Sequence, residues 1–259
     1  MMLASIKAEF RKLWTVRSTY VLFIVAFVLV MIFAFYAEGI KALPASVHDS
    51  GKLASEVTNA IMSVSLLGAL AGVLLMTHEY RYNTIMYTLT SSNSRTKTLF
   101  AKIVAVSAFA VLFALVFAIL SPLMTLLGLH IKGLTLDHQQ FDVFSLAWRV
   151  VFYGWGFSML GLALAVLLRN QIAVIVTLFM APATVEPLLG LLLKHNAVYL
   201  PFSALGQVLQ HQVSEPSGQA VKGAVTFAMS YGRSALVTLL YLVVFWIVAW
   251  VLFARRDAN

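Results

Sequence analysis

The sequence predicts an all-α integral membrane protein with six transmembrane helices, and three observations lead there. Apolar residues make up 61% of the 259 and charged residues only 11%, against about 25% charged in a soluble domain. So little charge cannot coat a globule in water, so lipid must be the solvent for most of the chain. The charges that remain divide the chain into charge-free windows near the length of about 20 apolar residues that a helical span needs. Finally, with the N-terminus placed inside, the inner segments carry eleven Lys and Arg against three acids, while the outer segments carry seven of each. All of the net +8 then lies on one side, as the positive-inside rule requires. A five-span reading destroys that division. The same asymmetry argues against nucleic acid as a partner.

The first element is an amphipathic helix over 1–17. Leu3, Ile6, Phe10, Leu13 and Trp14 recur at helical spacing, with Lys7, Glu9, Arg11 and Lys12 mostly between them. Such a helix lies in the inner interface with Trp14 at headgroup depth. Its apolar partner run is too long for a signal peptide and lacks a convincing cleavage site, so the N-terminus reads as retained. Phe10, Lys12, Leu13 and Trp14 are its candidate contact residues. It serves either as a topology anchor or as an elbow that passes movement to the first span.

The spans follow at 18–37, 57–77, 103–129, 150–168, 171–193 and 234–254. The third is long enough to tilt. The fifth is broken near 182–187, because Pro182, Glu186 and Pro187 interrupt its outer end. The longest connection is outer, from about Lys194 to Arg233, and includes Pro201, Pro216 and Gly218. A single domain accounts for 1–259.

The first inner loop reads HEYRYNTIMYTLTSSNSRTKTLFAK from His78 to Lys102. A short helix from Tyr80 to Leu89 would expose Tyr80, Tyr82, Ile85 and Tyr87 as a platform at the membrane surface. Aromatic residues mixed with charge suit an interface with lipid or with protein.

Within the spans, Gly68 and Gly72 form a GxxxG pair on the second, and Gly154, Ser158 and Gly161 a similar seam on the fourth. Small side chains allow helices to approach closely. Most Ser and Thr in spans bond back to their own helix. Asn59 and Glu186 are costly in lipid, and with Ser63, Thr177, Met180 and Thr184 they are the candidate lining of a pathway. The chain has no cysteine, and its six histidines show no metal-binding spacing. No G-x-x-x-x-G-K-[ST] loop is present, so the chain by itself cannot hydrolyse ATP.

The inner loop resembles that of the ABC-2 type transporter permeases. The pattern Glu-x-Arg-x-Gly-Thr, then Leu, then a Ser-Arg turn, then Lys is met by Glu79, Arg81, Thr84, Leu89, Ser94, Arg95 and Lys102. Glu9, Lys12, Leu13, Arg17 and Ser18 fit that family's entry to the first span, and Tyr199 to Ser203 is similar to its outer-loop signature. Asn83 departs from the usual glycine, and Ser92-Asn93 stands where proline is common.

The resemblance implies an exporter of the type V kind, in which two six-span subunits, identical or related, meet around a central pathway. Each rests on a cytoplasmic ABC ATPase, two copies in all, which binds the ATP and Mg; this chain itself would hold no cofactor. The first inner loop would be the coupling helix, giving Glu79, Tyr80, Arg81, Thr84, Ile85 and Arg95 a coupling role. The expected place is the plasma membrane, probable cargo class an amphipathic or apolar small molecule, peptide or lipid, and the bacterial inner membrane the expected setting. An ion-driven secondary transporter would show paired interrupted spans and buried ionisable groups in mid-membrane; only the fifth span is interrupted here. An accessory membrane subunit without transport is a further reading.

Overall fold

The computed structural model describes residues 2–41, 50–92, 94–133, 143–209 and 229–255. Every regular element among them is helical. Helix α1 is Met2–Thr15, and α2 is Arg17–Val30, which continues as a π-helical stretch Met31–Ile40. Helix α3 is Ser50–Arg81, α4 Ile85–Ser92, α5 Arg95–Ile131 and α6 Val143–Leu168. Helix α7 is Gln171–Met180, α8 Glu186–Leu193, α9 Pro201–Leu209 and α10 Tyr231–Arg255.

Among the described residues, five stretches are long and apolar enough to cross a bilayer: Arg17–Tyr36, Arg95–Ile131, Ala147–Leu168, Gln171–Leu193 and Tyr231–Arg255. They overlap five of the six expected windows. The remaining window, 57–77, lies wholly inside the 32-residue α3. The side chains of residues 50–60 and 63 fall outside the described ones, and with them those of Asn59 and Ser63.

The fifth span departs from the expected break in an instructive way. Between α7 and α8 the backbone widens into a π-helical stretch, Ala181–Val185, rather than unwinding. A proline removes one N–H and crowds the preceding turn. A wider turn accommodates Pro182 and Pro187 while the apolar run continues to Leu193. The turn into α7 is also specified locally. Arg169 takes φ 52°, and Asn170 accepts from the N–H of Ile172 at 3.0 Å and of Ala173 at 3.1 Å. That is a side-chain N-cap.

The core runs through α3, α5 and α6, whose facing sides are built for close approach. A Cβ added at Gly72 would sit 2.8 Å from Val106 of α5, and one at Gly68 2.8 Å from the Phe113 ring. Gly161 of α6 comes as close to Val73, at 3.1 Å. The GxxxG pair of α3 thus serves a close-packed seam within the chain. Hydroxyls in the spans bond back as expected: Ser65 donates to Ile61 O, Thr77 to Val73 O and Ser158 to Gly154 O, all within 2.9 Å.

Aromatic rings fasten α1 and α2 to α5. Phe109, Phe113 and Phe117 recur every four residues along one face of α5. The Phe23 ring of α2 lies 4.9 Å from that of Phe113 and 5.8 Å from that of Phe109. Trp14 of α1 stacks on Phe23 at 6.3 Å. Offset and edge-on rings at these separations add to simple area burial.

Candidate functional site

One end of the bundle gathers the basic helix termini. Arg81 at the end of α3 donates to Gln171 at the start of α7, 3.3 Å away. The Arg169 guanidinium lies 5.6 Å from the Tyr80 ring centroid. Arg95 at the start of α5 donates to the Ala254 carbonyl near the end of α10. The starts of α5 and α7 and the ends of α3, α6 and α10 therefore lie together, beside α1.

At the centre of this end is a quartet of charges, three of them buried and the fourth, Lys12, partly exposed. Lys102 of α5 is wholly excluded from solvent. Its Nζ donates to Glu9 Oε2 of α1 at 2.9 Å and to Glu79 Oε1 of α3 at 2.7 Å. Lys12 donates to Glu9 Oε1 at 2.8 Å and to the same Glu79 oxygen at 2.7 Å. Two ammoniums and two carboxylates make a neutral set spanning three helices. Desolvation of such charges costs several kcal/mol each, on the order of what good geometry recovers, so the set joins α1, α3 and α5 in one register more than it adds net stability. Burial works against the Lys12 ammonium, but hydrogen bonds and charge from Glu79 and Glu9 outweigh it and raise its pKa above the usual lysine value.

The inner loop forms a platform, but not the one expected. Helix α3 runs on through Arg81, and the chain then turns before α4 begins at Ile85. Asn83 makes that turn at φ 52°, a left-handed conformation that asparagine tolerates nearly as well as glycine. The Thr84 N–H closes the turn on the Glu79 carbonyl at 2.9 Å. A single helix from Tyr80 to Leu89 is therefore replaced by two with a turn between.

The turn also redistributes the expected exposed set. Tyr82 and Tyr87 stand out at 64% and 79% exposed, joined by Met86, whereas Ile85 is buried and Tyr80 half-buried. Ile85 is the anchor that holds α4 down, not part of its outer face. Arg81 and Thr84 are exposed. Between α1 and the platform lies a cleft of about 280 Å³, lined by Ser5, Ala8, Glu9 and Lys12 on one side and Tyr87, Thr88, Thr98 and Ala101 on the others.

On α1, Leu13 is buried, Phe10 half-buried and Trp14 exposed. Sequence reasoning recognised Glu9 and Lys102 as pattern residues and Lys102 as a boundary of a span, but did not pair either glutamate, Glu9 or Glu79, with Lys102. The i,i+3 spacing of Glu9 and Lys12 was the one local signal.

Of the expected lining residues whose side chains are described, Thr177 is turned onto the Ala173 carbonyl at 2.8 Å, while Met180 and Thr184 are exposed and Thr184 Oγ1 donates to Met180 Sδ at 3.9 Å. Glu186 is buried, and its carboxylate accepts from Phe202 N at 2.8 Å and from both Ser203 N and Ser203 Oγ at 2.6 Å. Those are the free N–H groups of the first turn of α9. Glu186 caps α9 across the chain and ties the outer connection to the widened fifth span.

A bundle of long apolar helices with a ring of charged helix ends at one face defines a multi-pass membrane protein. The family model for the ABC-2 family transporter protein matches residues 5–185, more than half of the chain. The chain belongs to the ABC-2 transporter family, and so is a transporter permease of the ABC class. Members of that family are membrane subunits, not themselves ATPases, and normally work with an ABC ATPase partner. No curated protein sequence matches the chain.

Proposed function

We propose that this chain is the six-span permease subunit of an ATP-driven exporter, with both termini in the cytoplasm and α4 with its flanking turn as the contact for the ATPase. The observation that carries this reading is the quartet of Glu9, Lys12, Glu79 and Lys102, whose ion pairs tie the bases of α1, α3 and α5 together. A push on the platform is then delivered to three helices at once. The exposed side chains Arg81, Tyr82, Thr84, Met86 and Tyr87 offer the partner a surface rich in aromatic and Arg contacts. Glu79 and Ile85 act behind that surface as positioning residues, Glu79 through its two lysines and Ile85 through its burial. Arg95 ties the base of α5 to the end of α10.

ATP and Mg belong to the partner, present in two copies, and a second permease subunit, identical or related, completes the pathway. An amphipathic or apolar cargo is consistent with the span composition. The bacterial inner membrane is the setting we assign, from the family likeness and the inner positive charge.

The test separates contact from positioning. Substituting Tyr82 and Tyr87 together by alanine should abolish co-purification with a cognate ABC ATPase co-expressed with this chain while thermal stability is unchanged. Glu79→Gln should keep the ATPase bound but lower transport per ATP hydrolysed. If the tyrosine variant binds its ATPase and transports normally, the platform is not the contact.

A further inference from the structure

The far part of α2 is wound more widely than its own residues favour. Two π-helical stretches occur among the described residues, and they differ in cause. Ala181–Val185 contains Pro182 and is followed by Pro187. Met31–Ile40, with the sequence MIFAFYAEGI, has no proline, and its Met, Ala and Glu residues favour the α-helix. Turns of π type mostly come singly, but this stretch runs for ten residues. The Met31 N–H still reaches the carbonyls of Phe27 and Val28, whereas the Lys41 N–H closes the stretch on Tyr36 O at 2.9 Å, five residues back. The winding therefore changes just beyond Val30.

The cause lies in the neighbour. The stretch packs on α5. Ala26, Val30 and Ala34, all buried, form a row spaced by four that leads into it. In an α-helix four residues overshoot a full turn by about 40°, so such a row drifts away from a straight contact. A wider turn beyond Val30 brings Ala34 back into line and leaves Ile32, Phe33 and Tyr36 about half exposed. The α winding is what the local sequence favours, and the π winding is what the contact with α5 requires. Conflicts of that kind between local preference and fold are expected at functional sites.

We infer that Met31–Ile40 is a register switch, π-wound while α2 rests on α5 as it does here and α-wound once α5 slides against it. The inference rests on the coupling proposed above, in which the Glu79–Lys102 pair brings a push on the platform to the base of α5. At its own base α2 is held to α1, by the Tyr20 hydroxyl donating to the Trp14 carbonyl and by the stacked Trp14 and Phe23 rings. Rewinding therefore shows at the other end. An α-helix rises about 1.5 Å per residue and a π-helix less, so the ten residues lengthen by a few ångströms and carry Ile40 round the helix axis. Shifts of that order between packed helices carry conformational switches.

The chain has no cysteine, so single cysteines carry a nitroxide to each position from Ala26 to Lys41. The full-length chain is co-expressed with its ABC ATPase and placed in nanodiscs, and oxygen accessibility is read by electron paramagnetic resonance. Beyond Met31 the accessibility should repeat at more than about four residues without nucleotide, and at about 3.6 when ATP is trapped with vanadate. One period in both states, long or short, overturns the proposal. A second arm needs no ATPase. Deleting the exposed Phe33 removes a residue that the wide turns hold in surplus, so the helix rewinds in place and the melting temperature stays within a few degrees. Deleting Val25, about as exposed but in the α-wound part, throws the faces on either side out of step by about 100° and should lower it severalfold more. Equal losses overturn the proposal whatever the ATPase does. A chain that holds no ATPase, with the two deletions still unequal, overturns the coupling and leaves the switch standing.

Discussion

Lys102 and Glu79 meet at 2.7 Å at the base of α5 and α3, the lysine without any solvent contact and the glutamate nearly so. Twenty-three residues separate them in the chain, the whole inner loop, so this pair closes the platform like a clasp. A lysine placed there is tolerable only because Glu9 and Glu79 both face it.

Lys102→Met should therefore destabilise strongly. It leaves two buried carboxylates sharing Lys12 alone, a change on the order of 3–5 kcal/mol for breaking a buried pair. Thermal unfolding followed by size-exclusion fluorescence in detergent reads the loss. A double change, Lys102→Met with Glu79→Met, should recover part of it. Coupling energy near zero in that cycle would mean the pair is not formed.

The pH response of α1 follows from Lys12. Its pKa is raised above 10.5 in the folded chain. A raised lysine contributes stability that is fully present below the unfolded value and is lost as pH climbs through the folded one. From neutrality to about pH 10 the docking of α1 should be flat with pH, and it should weaken only above that. The difference in melting temperature between wild type and Lys12→Met, followed against pH, measures this. A difference that already shrinks between pH 7 and 9 would contradict the sign.

The seam between α3 and α5 should reject added volume. Gly72→Val places carbon against Val106 where even a Cβ would be 2.8 Å away. Overpacking of this kind costs about 1–3 kcal/mol. A paired Val106→Ala should restore stability, whereas an unpaired Gly232→Ala, where nothing lies within 4 Å, should have little effect. Denaturation in detergent compares the three.

The cap on α9 is open to a local test. Glu186→Ala removes the acceptor of three hydrogen bonds and leaves the first turn of α9 unsatisfied, with a loss of about 1–3 kcal/mol. Hydrogen exchange at Phe202 and Ser203 should speed up while the α3–α5 core stays protected. Glu186→Gln, which can still accept from one N–H, should fall between.

The fold was legible where one dimension suffices. Charges at the ends of apolar runs marked the windows, and the helices that hold the second, third and sixth windows overrun them at both ends because the solvated turns beyond lipid still satisfy their own hydrogen bonds, whereas the stretch in the fifth window ends where that window does. Asn83, which departs from the family's usual glycine, adopts the left-handed backbone that a glycine would supply there. The platform itself was harder. Periodicity cannot show that a helix stops at Arg81 and restarts at Ile85, because the residues on either side have similar polarity. The expected exposure of Ile85 failed for the same reason, since one turn of offset rotates a face from solvent to core.

The candidate site divides in the same way. Sequence alone determined that the chain lies in a membrane and that Glu79, Arg81 and Thr84 stand on a loop of familial pattern. Those are properties of composition and spacing, and they survive any packing. Only the tertiary structure decided that Glu79 turns inward to two lysines, one of them 67 residues earlier in the chain, and that Glu186 caps a helix rather than standing alone. The partners of a buried charge are chosen by which helix ends meet in space, and a linear pattern holds no record of that meeting.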